Sequence, residues 1–175
     1  SKLGKERAII LRKWFDLIIE NTKDLATLMT LEQGKPLPEA TGEVVYGASF
    51  VEWFAEEAKR VMGAIPATTW SDKRTIVLKQ AIGVCVAITP WNFPIAIPAW
   101  KLAPALAYGN TVVMKPADLV PGSAWALADI LHRAGLPKGV FNLVHGDAAV
   151  GQAIASHADI DCIGSDGTYI FIQHD

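Results

Sequence analysis

The sequence predicts an α/β fold, with N-terminal helices packed on a parallel sheet and one further strand standing apart. Three observations predict it. Apolar residues recur at helical spacing through the first third of the chain. From Gly83 onward short apolar runs alternate with helical stretches, and the runs recur at intervals of about 27 to 29 residues. Such spacing leaves one helix per crossover, as βαβ units of a parallel sheet require.

Lys5 to Glu20 carries Ala8, Ile9, Leu11, Trp14, Phe15, Ile18 and Ile19 on one helical face, with charges opposite. Asn21, with Asp24 three residues on, reads as the N-cap of a second helix through Leu25, Leu28, Met29 and Leu31, ended by Gly34 and Pro36. A third helix is expected from near Glu39 to Met62, stopped by Gly63. Trp14, Phe50, Trp53 and Phe54 on these helices read as core rather than site. Thr69 to Lys73 is polar and turn-like, and Arg74 to Gln80 alternates as a strand with one covered face. Beyond Gly83 the apolar runs are Val84–Ile88, Thr111–Met114 and Val140–Val144. Helices are expected over Pro94–Tyr108 and Gly122–Ala134, closed by Gly109 and Gly135, and over Ala149–Ser156. The chain thus divides into helices over 1–72, a lone strand over 73–82, βαβ units over 83–165 and a tail over 166–175.

At 175 residues the chain can bury a real core, and a net charge of −2 without basic clusters argues against a nucleic-acid partner. Cys85 and Cys162 lie in apolar settings outside any CxxC, and the four histidines lack ligand spacing, so buried free thiols and no metal are expected. Ala81 to Trp100 carries no charged side chain and is long enough to span a bilayer. Pro90, Pro94 and Pro98 interrupt it, however, and would strip hydrogen bonds from a lipid-exposed helix. A buried strand, turn and helix start is the better reading. The first residues show no apolar signal segment. The expectation is a soluble, cytoplasmic protein with no membrane partner.

In open α/β sheets ligands bind beyond the carboxyl ends of the strands. Three loops fall there: Thr89-Pro-Trp-Asn-Phe-Pro94, Lys115-Pro-Ala-Asp118, and His145-Gly-Asp147 leading to Gly151. Together they make a dinucleotide or phosphate site the leading hypothesis. Asn92 can donate an amide N–H to a developing oxyanion, or it can satisfy its own turn. Lys115 can meet ribose hydroxyls or phosphate, or be a solvated lysine. Asp118 can accept from a ribose 2′-OH, which would repel a 2′-phosphate, or cap the helix after Pro121. Gly146-Asp-Ala-Ala-Val-Gly151 is a diluted phosphate-loop pattern, and no GxGxxG or G-x-S-x-G occurs.

Ile88-Thr-Pro-Trp-Asn-Phe-Pro94, Ala99-Trp-Lys-Leu-Ala-Pro-Ala-Leu-Ala107, Gly109-Asn-Thr-Val-Val-Met-Lys-Pro-Ala117 and Ala134-Gly-Leu-Pro-Lys-Gly-Val-Phe-Asn-Leu-Val144 stand in register. In these motifs the chain resembles the aldehyde dehydrogenase superfamily, from the first helix to about Asp161. The resemblance implies a Rossmann-like NAD(P)-binding domain and oxidation of a small-molecule aldehyde, with NAD, or NADP, as acceptor. It makes Asn92 the oxyanion asparagine and Lys115 a ribose contact. Asp118 falls where many NAD-preferring members carry glutamate. Thr89, Pro90 and Trp91 match the wall around the nicotinamide half and Ser165 a phosphate contact, and Pro116, Ala117, Gly146 and Gly151 stand beside them as cofactor-binding candidates. Phe93 and Trp100 match aromatic positions of the aldehyde channel. The Arg74–Gln80 strand resembles the family's oligomerisation segment, which implies a homo-oligomer in the full-length parent.

Leu31-Glu-Gln-Gly-Lys-Pro36 and Glu52-Trp-Phe-Ala-Glu-Glu-Ala-Lys-Arg60 resemble succinate-semialdehyde dehydrogenases, and Pro98 to Val144 equally resembles 2-oxoglutarate-semialdehyde dehydrogenases. Both imply an aldehyde with a distant carboxylate. After Asp161 the pattern departs: Cys162-Ile163 precede Gly164-Ser165 where the family has a longer strand, and 166–175 diverges. The family's cysteine nucleophile and glutamate base find no counterpart in this stretch. The expectation is an N-terminal fragment that does not turn over alone. The alternatives are a non-catalytic nucleotide-binding or oligomerisation module, or a truncated product without activity.

Overall fold

The computed structural model describes residues 2–166. Three helices come first: α1 (Gly4–Glu20), α2 (Thr22–Gln33) and α3 (Leu37–Glu57). The βαβ region follows as β1 (Val84–Thr89), α4 (Ala96–Ala107), β2 (Thr111–Pro116), α5 (Pro121–Arg133), β3 (Phe141–Leu143), α6 (Ala148–Ala155) and β4 (Cys162–Ser165). The four strands form one sheet in the order β3-β2-β1-β4, and every pairing is parallel. Central β1 holds Val84 against Thr111 on one side and Cys85 against Cys162 on the other. Right-handed crossovers place α4 and α5 on one face and α6, which returns past β1 to β4, on the other. Burial agrees: Ala87, Val112 and Met114 share the main core with Leu102, Leu106 and Leu127, whereas Val86 and Ile88 are buried outside it.

The helical layer packs on that core. Trp14, Ile18, Met29, Val44 and Val51 are completely buried. Gly47 lets α3 approach α4 closely, since a Cβ there would lie 3.1 Å from the Ala96 Cα. Gly34, at φ 76°, ends α2 in the left-handed conformation that favours glycine.

Several elements differ from expectation. Asn21 precedes α2, but its side chain donates to the Leu17 carbonyl at 2.7 Å and so closes α1 instead of capping α2. Helix α3 stops at Glu57, short of Met62, because the chain at Ala58 meets the start of α1; a Cβ on Gly4 would lie 2.5 Å from the Ala58 carbonyl oxygen. The strand expected over Arg74–Gln80 makes a single antiparallel bridge, Val77 to Ala64, and its residues are exposed. Its backbone lacks a partner strand among the described residues, and alternation alone cannot supply one. After Asp161, by contrast, the short Cys162–Ser165 segment does form a strand and pairs with β1 along its length. The thiols of Cys85 and Cys162 are free and half-buried instead of fully enclosed. Of the tail expected over 166–175, all but Asp166 lies outside the described residues. No helix among the described residues is long and apolar enough to cross a membrane.

Candidate functional site

The carboxyl ends of β1, β2 and β4 surround a cavity of about 260 Å³. Thr89, Pro90 and Trp91 line it from the end of β1, Lys115, Ala117 and Asp118 from β2, and Ser165 and Asp166 from β4; Asp147 and Ala148 close it from the start of α6. The parallel register explains the convergence, because Ile88 stands opposite both Lys115 and Ser165.

Lys115 is 5 % exposed, and its ammonium donates to the Pro116 carbonyl at 2.9 Å. It is therefore not a solvated lysine, and two of its three protons remain available. Thr89 is buried, and its Oγ1 has no hydrogen-bond partner among the described residues. An orphaned hydroxyl of this kind costs free energy unless a ligand or water completes it. Asp118 is exposed and makes no hydrogen bond or ion pair among the described residues. The helix after it, α5, is capped from elsewhere: Glu32 of α2 accepts from the Gly122 and Ser123 amides at 2.6 and 2.8 Å and from the Ser123 hydroxyl at 2.6 Å. Donors at Thr89 and Lys115 beside an acceptor at Asp118 fit the hydroxyls of a nucleotide ribose. Pro116 is buried behind this set and does not line the cavity.

Asn92 follows the cavity-lining Trp91 in the loop after β1 and is exposed, with its side-chain amide free of hydrogen bonds among the described residues. It does not satisfy its own turn. Phe93 is 42 % exposed, and the Lys35 ammonium sits 4.2 Å from its ring centroid. Trp100 does not line the cavity itself; it stacks edge-on against Phe50 and donates its indole N–H to the lining Asp166 at 3.3 Å. The Lys101 ammonium, 2.6 Å from the same carboxylate, holds the Asp166 carboxyl below its usual range. Gly146 and Gly151 do not line the cavity. A Cβ at Gly146 would strike Val150, and Gly151 is buried within α6, so both have packing reasons. The α6 amides of Ala149 and Val150 already donate to Asp147, which closes the loop as a phosphate cradle.

A larger, apolar cavity of about 380 Å³ lies at the opposite ends of the strands, beside Gly109 and Thr111. Its Arg7 is spent on the Ala107 and Lys2 carbonyls, which leaves little chemistry there.

A model of the aldehyde dehydrogenase family matches residues 2–171. The chain belongs to the aldehyde dehydrogenase family. It is 60 % identical over 155 residues to an NADP(+) succinate-semialdehyde dehydrogenase of Escherichia coli, covering 88 % of this chain and 32 % of that protein. A glutarate-semialdehyde dehydrogenase of Pseudomonas aeruginosa matches with the same identity and coverage. The crystal structure of a succinate-semialdehyde dehydrogenase from Burkholderia pseudomallei superposes with a TM-score of 0.92 at 54 % identity, covering 96 % of this chain and 35 % of that one. The chain spans about a third of the length of the curated relatives it matches. The family match runs past Asp161 through the strand whose shortness had marked a departure.

Sequence reasoning missed Glu43. This residue of α3 is 4 % exposed and accepts from the Ile95 and Ala96 amides at 3.0 and 3.2 Å, at the start of α4. A signal existed, since Glu43 interrupts the apolar stripe of Ala40, Val44, Gly47, Ala48 and Val51. Glu32 and Asp166 carried no comparable mark.

Proposed function

We propose that this aldehyde dehydrogenase chain supplies the cofactor-side half of an NAD(P)-dependent oxidation of an aldehyde to its acid, the aldehyde being a carboxylated semialdehyde. The observation that carries the reading is the convergence of Thr89, Lys115, Asp118 and Ser165 on one cavity, with Asn92 exposed in the loop that leaves it after Trp91. A bound nicotinamide would accept the hydride that leaves the aldehyde carbon. Thr89 and Lys115 donate to sugar hydroxyls, and Asp118 accepts from a ribose 2′-OH. Pro90 and Trp91 wall the nicotinamide side and exclude water. The Asn92 amide donates to the carbonyl oxygen as it gains negative charge, an interaction strengthened in the transition state. The semialdehyde assignment draws on relatives named for succinate and glutarate semialdehydes, both with a carboxylate distant from the aldehyde. NAD is favoured over NADP because Asp118 would face a 2′-phosphate.

Calorimetric titration with NAD tests the cofactor half: binding weakened by Lys115→Ala is expected, and equal binding by both forms overturns the reading. Reduced-nicotinamide absorbance with succinate semialdehyde, measured on the complete gene product, tests the reaction. A homo-oligomer built through 73–82 is supported by exposed Ile76, Leu78 and Ile82, which leave an apolar edge open. Sedimentation of an Ile76→Asp variant checks it, with dissociation expected.

A further inference from the structure

Lys35, in the connection between α2 and α3, and Glu43 of α3 reach the loop after β1 as a charge pair with little exposure. Glu43 has a side chain 1 % exposed, and its Lys35 partner one of 13 %. Charges removed this far from water persist only when fully paired. These are paired in a way that uses every contact on one short stretch of chain. One Glu43 oxygen takes the Ile95 and Ala96 amides, and the other takes the Lys35 ammonium. Lys35 donates in addition to the Asn92 carbonyl at 2.7 Å and covers the Phe93 ring. Residues 92–96 are therefore gripped at the Asn92 carbonyl, the Phe93 ring and two successive amides, while Gly47 sets how closely α3 can press on Ala96. The Asn92 side chain itself is held by nothing among the described residues, so its direction follows from its backbone.

We infer that Lys35 and Glu43 are positioning residues for Asn92: the ion pair fixes the backbone from which the Asn92 amide is aimed at the substrate carbonyl oxygen. The inference rests on the reading of Asn92 as the donor to that oxygen. It assigns the pair a role that stability does not require, because a hydrophobic pair of similar volume can be equally stable in such a place. What apolar residues could not do is hold a carbonyl and two amides in one frame. A displacement of about 1 Å at a catalytic group costs on the order of 100-fold in rate.

The experiment compares Lys35→Met, Glu43→Gln, Asn92→Ala and the Lys35→Met/Asn92→Ala double variant in the complete gene product, with succinate semialdehyde and NAD. Lys35→Met is expected to lower kcat by roughly 10- to 100-fold with KM for NAD unchanged. Glu43→Gln keeps an oxygen for the α4 amides but loses the charge, and should fall between Lys35→Met and the parent. The double variant should be no slower than Asn92→Ala alone, because a positioning residue has nothing left to position. A Lys35→Met enzyme with parental kcat, or losses that multiply in the double variant, overturns the inference. Parental kcat in Asn92→Ala instead overturns the reading of Asn92. Amide exchange at Ile95 and Ala96 gives a readout without activity: it should accelerate in Glu43→Ala, and unchanged exchange would show that the pair does not hold the loop.

Discussion

Replacing Glu32 with alanine removes the cap of α5 from a helix ninety residues away in sequence. Three donors lose their acceptor: the Gly122 amide, the Ser123 amide and the Ser123 hydroxyl. Water can reach Gly122, which is half-buried, but Ser123 is fully enclosed at 0 % exposure. Each buried unsatisfied group costs about 1–3 kcal/mol, and an ordinary N-cap is worth about 0.5–2 kcal/mol. Counting the Ser123 groups fully and Gly122 lightly gives a loss of about 3 kcal/mol. For a domain of this size each kcal/mol moves the midpoint by about 2–4 °C, so a fall of about 6–12 °C is expected. Glu32→Gln keeps one acceptor oxygen and should lose about half as much. Urea unfolding followed by circular dichroism, beside a thermal melt, measures both variants. An alanine variant within about 0.5 kcal/mol of the parent at unchanged m-value refutes the reasoning.

On the proposed reading of Asp118 as the ribose 2′-OH acceptor, Asp118→Ala should weaken NAD about tenfold, the worth of one hydrogen bond to a charged group, while NADP tightens several-fold as repulsion is relieved. Competition titration reads both, and an unchanged NAD-to-NADP ratio contradicts it. Lys59 first, and Arg12 second, hold the Glu56 carboxyl at about 2. Because the folded value is depressed, this contribution is present above the ordinary 4.5 and is lost as pH falls toward about 2. A carboxyl NMR titration should show Glu56 ionised at pH values where an unpaired glutamate is protonated, with Lys59→Met moving it upward. Burial, reinforced by neighbouring Cys162, pushes the Cys85 thiol above its ordinary 9.0. Iodoacetamide should therefore alkylate Cys85 slowly at neutral pH and faster only as pH approaches and passes 9.0; rapid neutral labelling counts against it.

The strands and helix stops of 83–165 were legible because they rest on local signals: apolar runs too short for helices, and glycines such as Gly109 and Gly135 with positive φ where chains must turn. The ends of those strands then located Thr89, Lys115 and Asp118 without knowledge of any contact. What stayed hidden depends on residues far apart in sequence. Alternation marked Arg74–Gln80 as a strand, but a ladder needs a second strand, and one bridge to Ala64 does not make one. The sequence left Lys115 open between a ligand contact and a solvated lysine, because its burial depends on the pairing of β2 with β1. Lys35 carries no mark of its own between Gly34 and Pro36, and only the packing of α3 against α4 brings it to Asn92.

The same long-range pairs bear on how this chain could share a dinucleotide. Helix N-termini are the ordinary seat of a phosphate in an α/β sheet, since free amides and the helix dipole both favour an anion. Here that seat is taken three times. Glu43 occupies the start of α4, Glu32 the start of α5 and Asp147 the start of α6. A pyrophosphate entering at any of them would have to displace a carboxylate already in place and would gain only the difference between two anions. The cavity itself repeats the point, because Asp118, Asp147 and Asp166 share its lining with the single ammonium of Lys115, and Asp166 is already matched to Lys101. Negative potential of this kind disfavours phosphate and leaves uncharged hydroxyls unopposed. No glycine among the described residues lines it, so none of them offers the close backbone approach that a phosphate loop uses. On the proposed reading, a strand-end site built this way would recognise the sugars of a cofactor, through Lys115 and Asp118 in the loop after β2 where a phosphate-binding sheet would carry a glycine-rich turn.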